Sequence, residues 1–323
     1  MNKIVEKLKV VKSIKPFLQL IRPLNLLIVI LTSLLTWKAL IGGVYEYFHM
    51  PLFMEVETIS LLIASLVLLA AGGYVINDYF DVVIDEINKP KRQIIGTKIS
   101  RRAAVIYYGV LTALGILAAF WAAINVGNYQ IAMVHIIFAL ALWFYSEQFK
   151  YIKFWGNFIV SLSTAFVIVL IWMFEFFAMI QNTEFLPPKE QGLMTYLVLG
   201  YAFFAFIATF VRELVKDRQD VPGDLRAGVK NLAVTMSEKG FKLLTAIGLG
   251  INLATLVIAQ IFLYEMELIL VSWYILVLEI IVLYLIWALF KAGNERDFGI
   301  MSLYLKVYMI AGILSMQILY ISW

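Results

Sequence analysis

The chain has 323 residues, 63% of them hydrophobic and only 15% charged, with a formal net charge of +4. Ordinary soluble domains run near half apolar and a quarter charged, so the composition excludes one and implies a polytopic membrane protein. No cysteine occurs, which excludes disulfides, thiolate metal sites and cysteine nucleophiles.

The first 22 residues are basic and amphipathic, with Lys3, Lys7, Lys9, Lys12, Lys15 and Arg22. They lack the short apolar core and small-residue cleavage site of a signal peptide, and they read as an interfacial helix lying on the membrane. Beyond them, apolar runs long enough to cross roughly 30 Å of hydrocarbon recur to the end of the chain. They predict helices over about 24–44, 59–82, 103–124, 129–147, 154–180, 193–216, 241–263, 268–290 and 300–322. The breaks carry turn signals: Gly42-Gly43, Asn88-Lys89-Pro90, Asn125 to Asn128, Pro187-Pro188, Pro222-Gly223 and Gly293-Asn294. The expected fold is all-α, nine transmembrane helices around a central cavity, with residues 1–323 forming one membrane-embedded domain. His135, alone inside an apolar run, reads as a packed residue rather than a ligand.

Charge gives these helices a direction. Of the 26 Lys and Arg residues, 23 fall in the N-terminal segment and the loops of the same side. The opposite loops hold Glu46, Glu55, Glu57, Glu184, Glu190, Glu265 and Glu267, with Lys189 as their base. The positive-inside rule then predicts a multi-pass protein of the cytoplasmic membrane, N-terminus inside and C-terminus outside. The net positive charge is thereby a mark of topology and not of nucleic-acid binding.

Two acidic stretches end helices on the basic side. The second helix closes with Asn77-Asp78-Tyr79-Phe80-Asp81 and continues to Asp85. In helical geometry Asp78, Asp81 and Asp85 share a face, with Asn77 beside them. The sixth closes with Glu213, Asp217, Asp220 and Asp224, again one face. Carboxylates stacked this closely repel unless a cation sits among them. Oxygen donors with no His or Cys suit Mg²⁺, which keeps waters and shares substrate phosphates. The two faces are placed to hold a diphosphate between them through Mg²⁺. Lys89, Arg92, Lys216, Lys150 and Lys153, with Tyr145-Ser146, stand nearby in sequence and can complete a diphosphate site.

At these residues the chain resembles the UbiA superfamily of intramembrane prenyltransferases. The family pattern N-D-x-x-D-x-x-x-D matches Asn77, Asp78, Asp81 and Asp85, followed by Asn88-Lys89-Pro90-Lys91-Arg92. Its second acidic pattern matches Asp220 and Asp224, extended back through Asp217 and Glu213. Tyr145-Ser146 with Lys150, then Gly156-Asn157, is similar to the loop between the family's fourth and fifth helices. The resemblance implies Mg²⁺-dependent ionisation of a polyprenyl diphosphate and capture of the carbocation by a lipid-soluble acceptor. It makes Asp78, Asp81, Asp85, Asp217, Asp220 and Asp224 the expected catalytic residues, all but Asp78, together with Asn77, the expected metal ligands. Such a cation needs a dry aromatic chamber; the candidates are Phe166, Trp172, Phe174, Phe176, Phe177, Phe203, Phe204, Phe206 and Phe210.

The stretch from Arg212 to Asp224 and the opening Leu20-Ile21-Arg22-Pro23-Leu24-Asn25 are most similar to members that prenylate geranylgeranylglyceryl phosphate. That likeness implies a geranylgeranyl donor and places Arg22 and Asn25 among the substrate-binding residues, with Lys150, Lys153, Arg22 or Arg101 as cations for the acceptor phosphate. The connections after the first and fifth helices are long for the archaeal members, which leaves aromatic quinone precursors, of the 4-hydroxybenzoate or dihydroxynaphthoate type, as rival acceptors. An ion-coupled transporter is the alternative of another class. It needs carboxylates at mid-membrane, where only Glu175 and Glu279 qualify.

Overall fold

A computed structural model of the chain describes residues 14–88, 93–182, 187–226 and 228–323. A helix α1 (Ile14–Ile21) leads into α2 (Pro23–Tyr47), α3 (Val56–Phe80) and the short α4 (Val82–Asn88). There follow α5 (Arg101–Asn125), α6 (Tyr129–Glu147), α7 (Trp155–Gln181) and α8 (Pro188–Arg226). A one-turn helix α9 (Leu232–Thr235) precedes α10 (Glu238–Glu265), α11 (Ile269–Lys291) and α12 (Glu295–Ser322). Among the described residues nine helices are long and apolar enough to cross a membrane, as the sequence predicts. Of the N-terminal segment expected to lie on the membrane, residues 14–21 form the helix α1, and the first thirteen residues lie outside the described ones.

Helix α8 is the hub, packed against α7, α10 and α12, while α3 packs against α5, α6 and α2. Small residues set several of these approaches, as expected where lipid gives helices no hydrophobic reason to associate. Gly312 of α12 faces the Phe204 ring of α8, and a methyl group there would run into it. Gly312→Ala should therefore lower stability by about 1–3 kcal/mol, the usual range for overpacking. Thermal unfolding in detergent reads this directly, and an unchanged midpoint would count against the packing described.

Helix ends are capped where polar residues allow. Ser100 accepts from the Ala103 N–H at 3.2 Å, and Asn294 exchanges hydrogen bonds with Asp297 in a capping box. At the end opposite the acidic motifs, the Glu175 carboxylate accepts the Phe53 and Met54 N–H groups at 2.6 and 3.2 Å. This clasps the α2–α3 loop onto α7 and gives Glu175 a structural role with no need of ion coupling. His135 is buried with its ring edge-on to Phe174, as a packed residue should be.

Two boundaries differ from the sequence expectation. The sixth span does not end near residue 216 or break at Pro222-Gly223; α8 runs on through Pro222 to Arg226. Proline removes one helical N–H but permits a distorted helix to continue. The chain leaves only after Gly228, whose φ of 73° suits glycine, and the Val229 N–H closes onto the Asp224 carbonyl at 2.9 Å. In the second span the long helix stops at Phe80, and Asp81 forms a one-residue step before α4. Helical bonding carries across the step, with the Asp81 N–H on the Asn77 carbonyl at 2.9 Å and the Asp85 N–H on the Asp81 carbonyl at 2.8 Å.

Candidate functional site

Both acidic stretches open on one cavity of about 570 Å³ at the motif end of the bundle. One wall is Asn77, Asp78, Asp81 and Asp85; the facing wall is Lys216, Asp217, Asp220 and Asp224 of α8. Helix α4 packs directly against α8, so the two motifs are neighbours in space. Arg22, Tyr145 and Lys150 also line the cavity, as the sequence expects.

Each wall is held by cations or amides of the chain. Arg22 donates to Asp78 at 2.6 Å and lies over the Tyr74 ring at 4.8 Å. It does so from a left-handed backbone (φ 54°, ψ 64°), a strained conformation for a non-glycine residue that turns α1 into α2. Lys150 donates to Asp81 at 2.5 Å, and Asn77 donates to the other oxygen of Asp81 at 2.8 Å. Burial holds the Lys150 ammonium below the ordinary lysine range, with Asp81 pulling the other way. On α8, Asp217 accepts from Asn157 at 2.9 Å and Asp224 from Asn231 at 2.8 Å. Beneath them Glu213 is buried between Arg212 at 2.8 Å and Lys216 at 3.2 Å.

The loop carrying Lys150 is pinned at two points. A two-residue strand β1 (Ile152–Lys153) pairs in parallel with β2 (Lys230–Asn231), tying the α6–α7 loop to the segment after α8. A side chain on Gly156 would come within 2.9 Å of the Lys150 Cα, so only glycine lets α7 begin so close to the loop.

Not every expected residue arrives. Lys153 is exposed and pairs its backbone with Asn231, but does not itself line the cavity. Asn25 accepts from Lys306 at 2.8 Å and does not line the cavity. Proximity to the motifs along the chain does not by itself bring a side chain into the cavity. Lys89 and Arg92 lie outside the described residues. Of the nine aromatic candidates none lines this cavity; its aromatic walls among the described residues are Tyr145 and Tyr151. Trp172, Phe176 and Phe177 instead line a second cavity of about 330 Å³ with Met173, Gln191 and Thr195. Gln19, Lys98, Tyr151 and Asn231 line the acidic cavity without having been expected. Their motif spacing gives no signal, since loop closure and the β1–β2 pairing bring them in.

The donor set fits a hard cation shared with a diphosphate. Among the described residues no three carboxylates or histidines gather closely enough to cage an ion by themselves. That is the habit of Mg²⁺, which takes one or two carboxylates and leaves its other positions to water and phosphate oxygens. The Asn77 Oδ1 atom, buried and without a hydrogen-bond partner in the same wall, is a further oxygen donor in waiting.

Comparison with known proteins agrees with this geometry. Residues 26–308 match the sequence profile of the UbiA prenyltransferase family. A digeranylgeranylglyceryl phosphate synthase of Sulfolobus acidocaldarius is 31% identical over 253 residues, covering 75% of this chain and 77% of the relative. One from Methanosphaera stadtmanae is 27% identical over 306 residues, 93% of this chain and 97% of the relative. Among solved structures, one described as giving structural and mechanistic insights into digeranylgeranylglyceryl phosphate synthase in membranes superposes with a TM-score of 0.67. It is 23% identical and covers 96% of this chain and 99% of its own. A UbiA homologue from Archaeoglobus fulgidus bound to GPP and Mg²⁺ superposes with a TM-score of 0.56 at 18% identity, covering 92% and 99%. The structures establish the shared fold, and the profile match over most of the chain makes this protein a member of the UbiA prenyltransferase family, a multi-pass membrane prenyltransferase.

Proposed function

We propose that the protein transfers a geranylgeranyl group from its diphosphate to the free hydroxyl of geranylgeranylglyceryl phosphate, with Mg²⁺ in the acidic cavity and pyrophosphate released. The observation that carries the reading is the single cavity walled by both acidic stretches and by Arg22, Lys150 and Lys216. The relatives named as digeranylgeranylglyceryl phosphate synthases support the acceptor, and the Archaeoglobus homologue with GPP and Mg²⁺ supports the donor class and the metal. The asymmetry of Lys and Arg supports a cavity facing the cytoplasm, with the C-terminus outside.

In this reading Asn77, Asp81, Asp85, Asp217, Asp220 and Asp224 would supply the oxygens for Mg²⁺, one or two carboxylates to an ion, with water and the diphosphate completing the coordination. Bound Mg²⁺ supplies a Lewis acid that neutralises charge gathering on the diphosphate oxygens. Lys150 and Lys216 add fixed positive charge to the same oxygens as the carbon–oxygen bond breaks and the electron pair leaves with pyrophosphate. Asp78 keeps Arg22 turned into the cavity. Asn157 and Asn231 hold Asp217 and Asp224 at fixed angles, so their orientation is set before substrate arrives. The acceptor hydroxyl then bonds to the allylic carbon and gives its proton to the departing pyrophosphate.

Purified protein given geranylgeranyl diphosphate, Mg²⁺ and a panel of acceptors tests the assignment, with products identified by mass spectrometry. Transfer to geranylgeranylglyceryl phosphate is expected. Transfer to 4-hydroxybenzoate or dihydroxynaphthoate but not to the glyceryl phosphate would overturn it.

A further inference from the structure

Lys306 stands apart from the cations of the acidic cavity. It lies within the membrane-spanning helix α12 and is half-buried. Its Nζ donates to Asn25 Oδ1 at 2.8 Å, and none of the ion pairs among the described residues includes it. A lysine ammonium inside a spanning helix with no carboxylate beside it is costly, and such groups mark functional sites. Two of its three N–H donors are left for another partner.

A second cation nearby is also incompletely used. Arg212 of α8 is within electrostatic range of Lys306, and its Nε is buried with no hydrogen-bond partner. One terminal nitrogen of Arg212 is taken by Glu213 at 2.8 Å. Glu213 in turn holds Lys216, which lines the acidic cavity, so this cluster is joined to that cavity through one shared carboxylate.

Helix α12 packs along Leu35–Ile41 and Gly42–Tyr47, the outer half of α2, whereas the inner half, Pro23–Leu34, packs mainly on α3 and α7. The two helices therefore diverge towards the motif end. Lys306 and Asn25 reach across that divergence.

We propose that Lys306 and Arg212, with Asn25, form a second anion site between α2 and α12 that holds the phosphomonoester of the lipid acceptor. This rests on the acceptor reading above. A phosphate monoester brings two negative charges at neutral pH and three strong acceptor oxygens, enough for the free donors of both cations. An uncharged acceptor leaves the same cations unneutralised in the membrane, so the site also selects against it. The diphosphate occupies the other side of Glu213, which keeps the two phosphate groups from competing for one set of cations.

Steady-state kinetics of the full-length protein in lipid nanodiscs, varying donor and acceptor separately, test this. Lys306→Met should raise KM for geranylgeranylglyceryl phosphate about ten- to a hundredfold, the effect of losing one charge-assisted contact. KM for geranylgeranyl diphosphate should stay within about twofold, a difference smaller than one such contact. Lys306→Arg should recover most of the loss, and the wild-type preference for the phosphorylated acceptor over geranylgeranylglycerol should collapse only in the Met variant. An unchanged acceptor KM, an equal rise in donor KM, or failure of Arg to rescue would overturn the inference. If the wild type does not use the glyceryl phosphate at all, the acceptor reading fails and this one falls with it. If the wild type uses it and Lys306→Met is indifferent, this one fails alone.

Discussion

Asp81→Ala and Asp217→Ala are each expected to reduce Mg²⁺-dependent pyrophosphate release by at least about a thousandfold, corresponding to about 4 kcal/mol of transition-state stabilisation. The two residues stand on opposite walls of one cavity, one at the step between α3 and α4 and the other on α8. If the two walls share one metal–diphosphate site both carboxylates would be needed, so either loss should be nearly as damaging as the pair. Asp81 also receives Lys150 and Asn77, and Asp217 receives Asn157, so each substitution frees its partners as well. Elution volume in gel filtration and the thermal midpoint separate lost chemistry from lost fold. A variant that is folded and within tenfold of wild type, on the order of a single weak contact, would remove that carboxylate from the mechanism.

Lys150→Met should give the next largest effect, a fall of about 10²- to 10³-fold in kcat, the usual consequence of removing one preorganised electrostatic donor. Lys150 is nearly enclosed, with 10% of its side chain exposed, so water cannot easily replace the lost charge. Methionine keeps the length of the stem and removes only the ammonium. Rapid-quench measurement of single-turnover pyrophosphate release isolates the chemical step. Unaltered single-turnover release would show that Lys150 serves only to hold its loop against β2 and α7.

The fold was legible because each span is a long apolar run closed by charge or by glycine and proline, and hydropathy reads that pattern well. Hydropathy also explains what was missed. It stops where the chain leaves the apolar layer, while α8 keeps its helical hydrogen bonding through Asp217, Asp220 and Asp224 into polar surroundings. Pro222-Gly223 looked like a break because proline usually ends a helix, yet the turn comes only at Gly228. The acid clusters of the site were legible as repeats of charge on one helical face. Tyr151 and Asn231 were not, because a two-residue strand pairing places them and no local pattern announces it. Lys153 and Asn25 lie outside the cavity lining for the converse reason, since neighbours in sequence can face different spaces. Asn25 turns to Lys306 on the last helix, a partner no sequence window contains.

Binding of geranylgeranyl thiolodiphosphate, an analogue that ionises poorly, can be measured by isothermal titration calorimetry with and without Mg²⁺. If both acidic stretches share one metal–diphosphate site, binding to the wild type requires Mg²⁺, and either Asp81→Ala or Asp217→Ala abolishes the Mg²⁺-dependent part. Equal affinity with the metal absent, or full Mg²⁺-dependent binding in either variant, would contradict the single shared site.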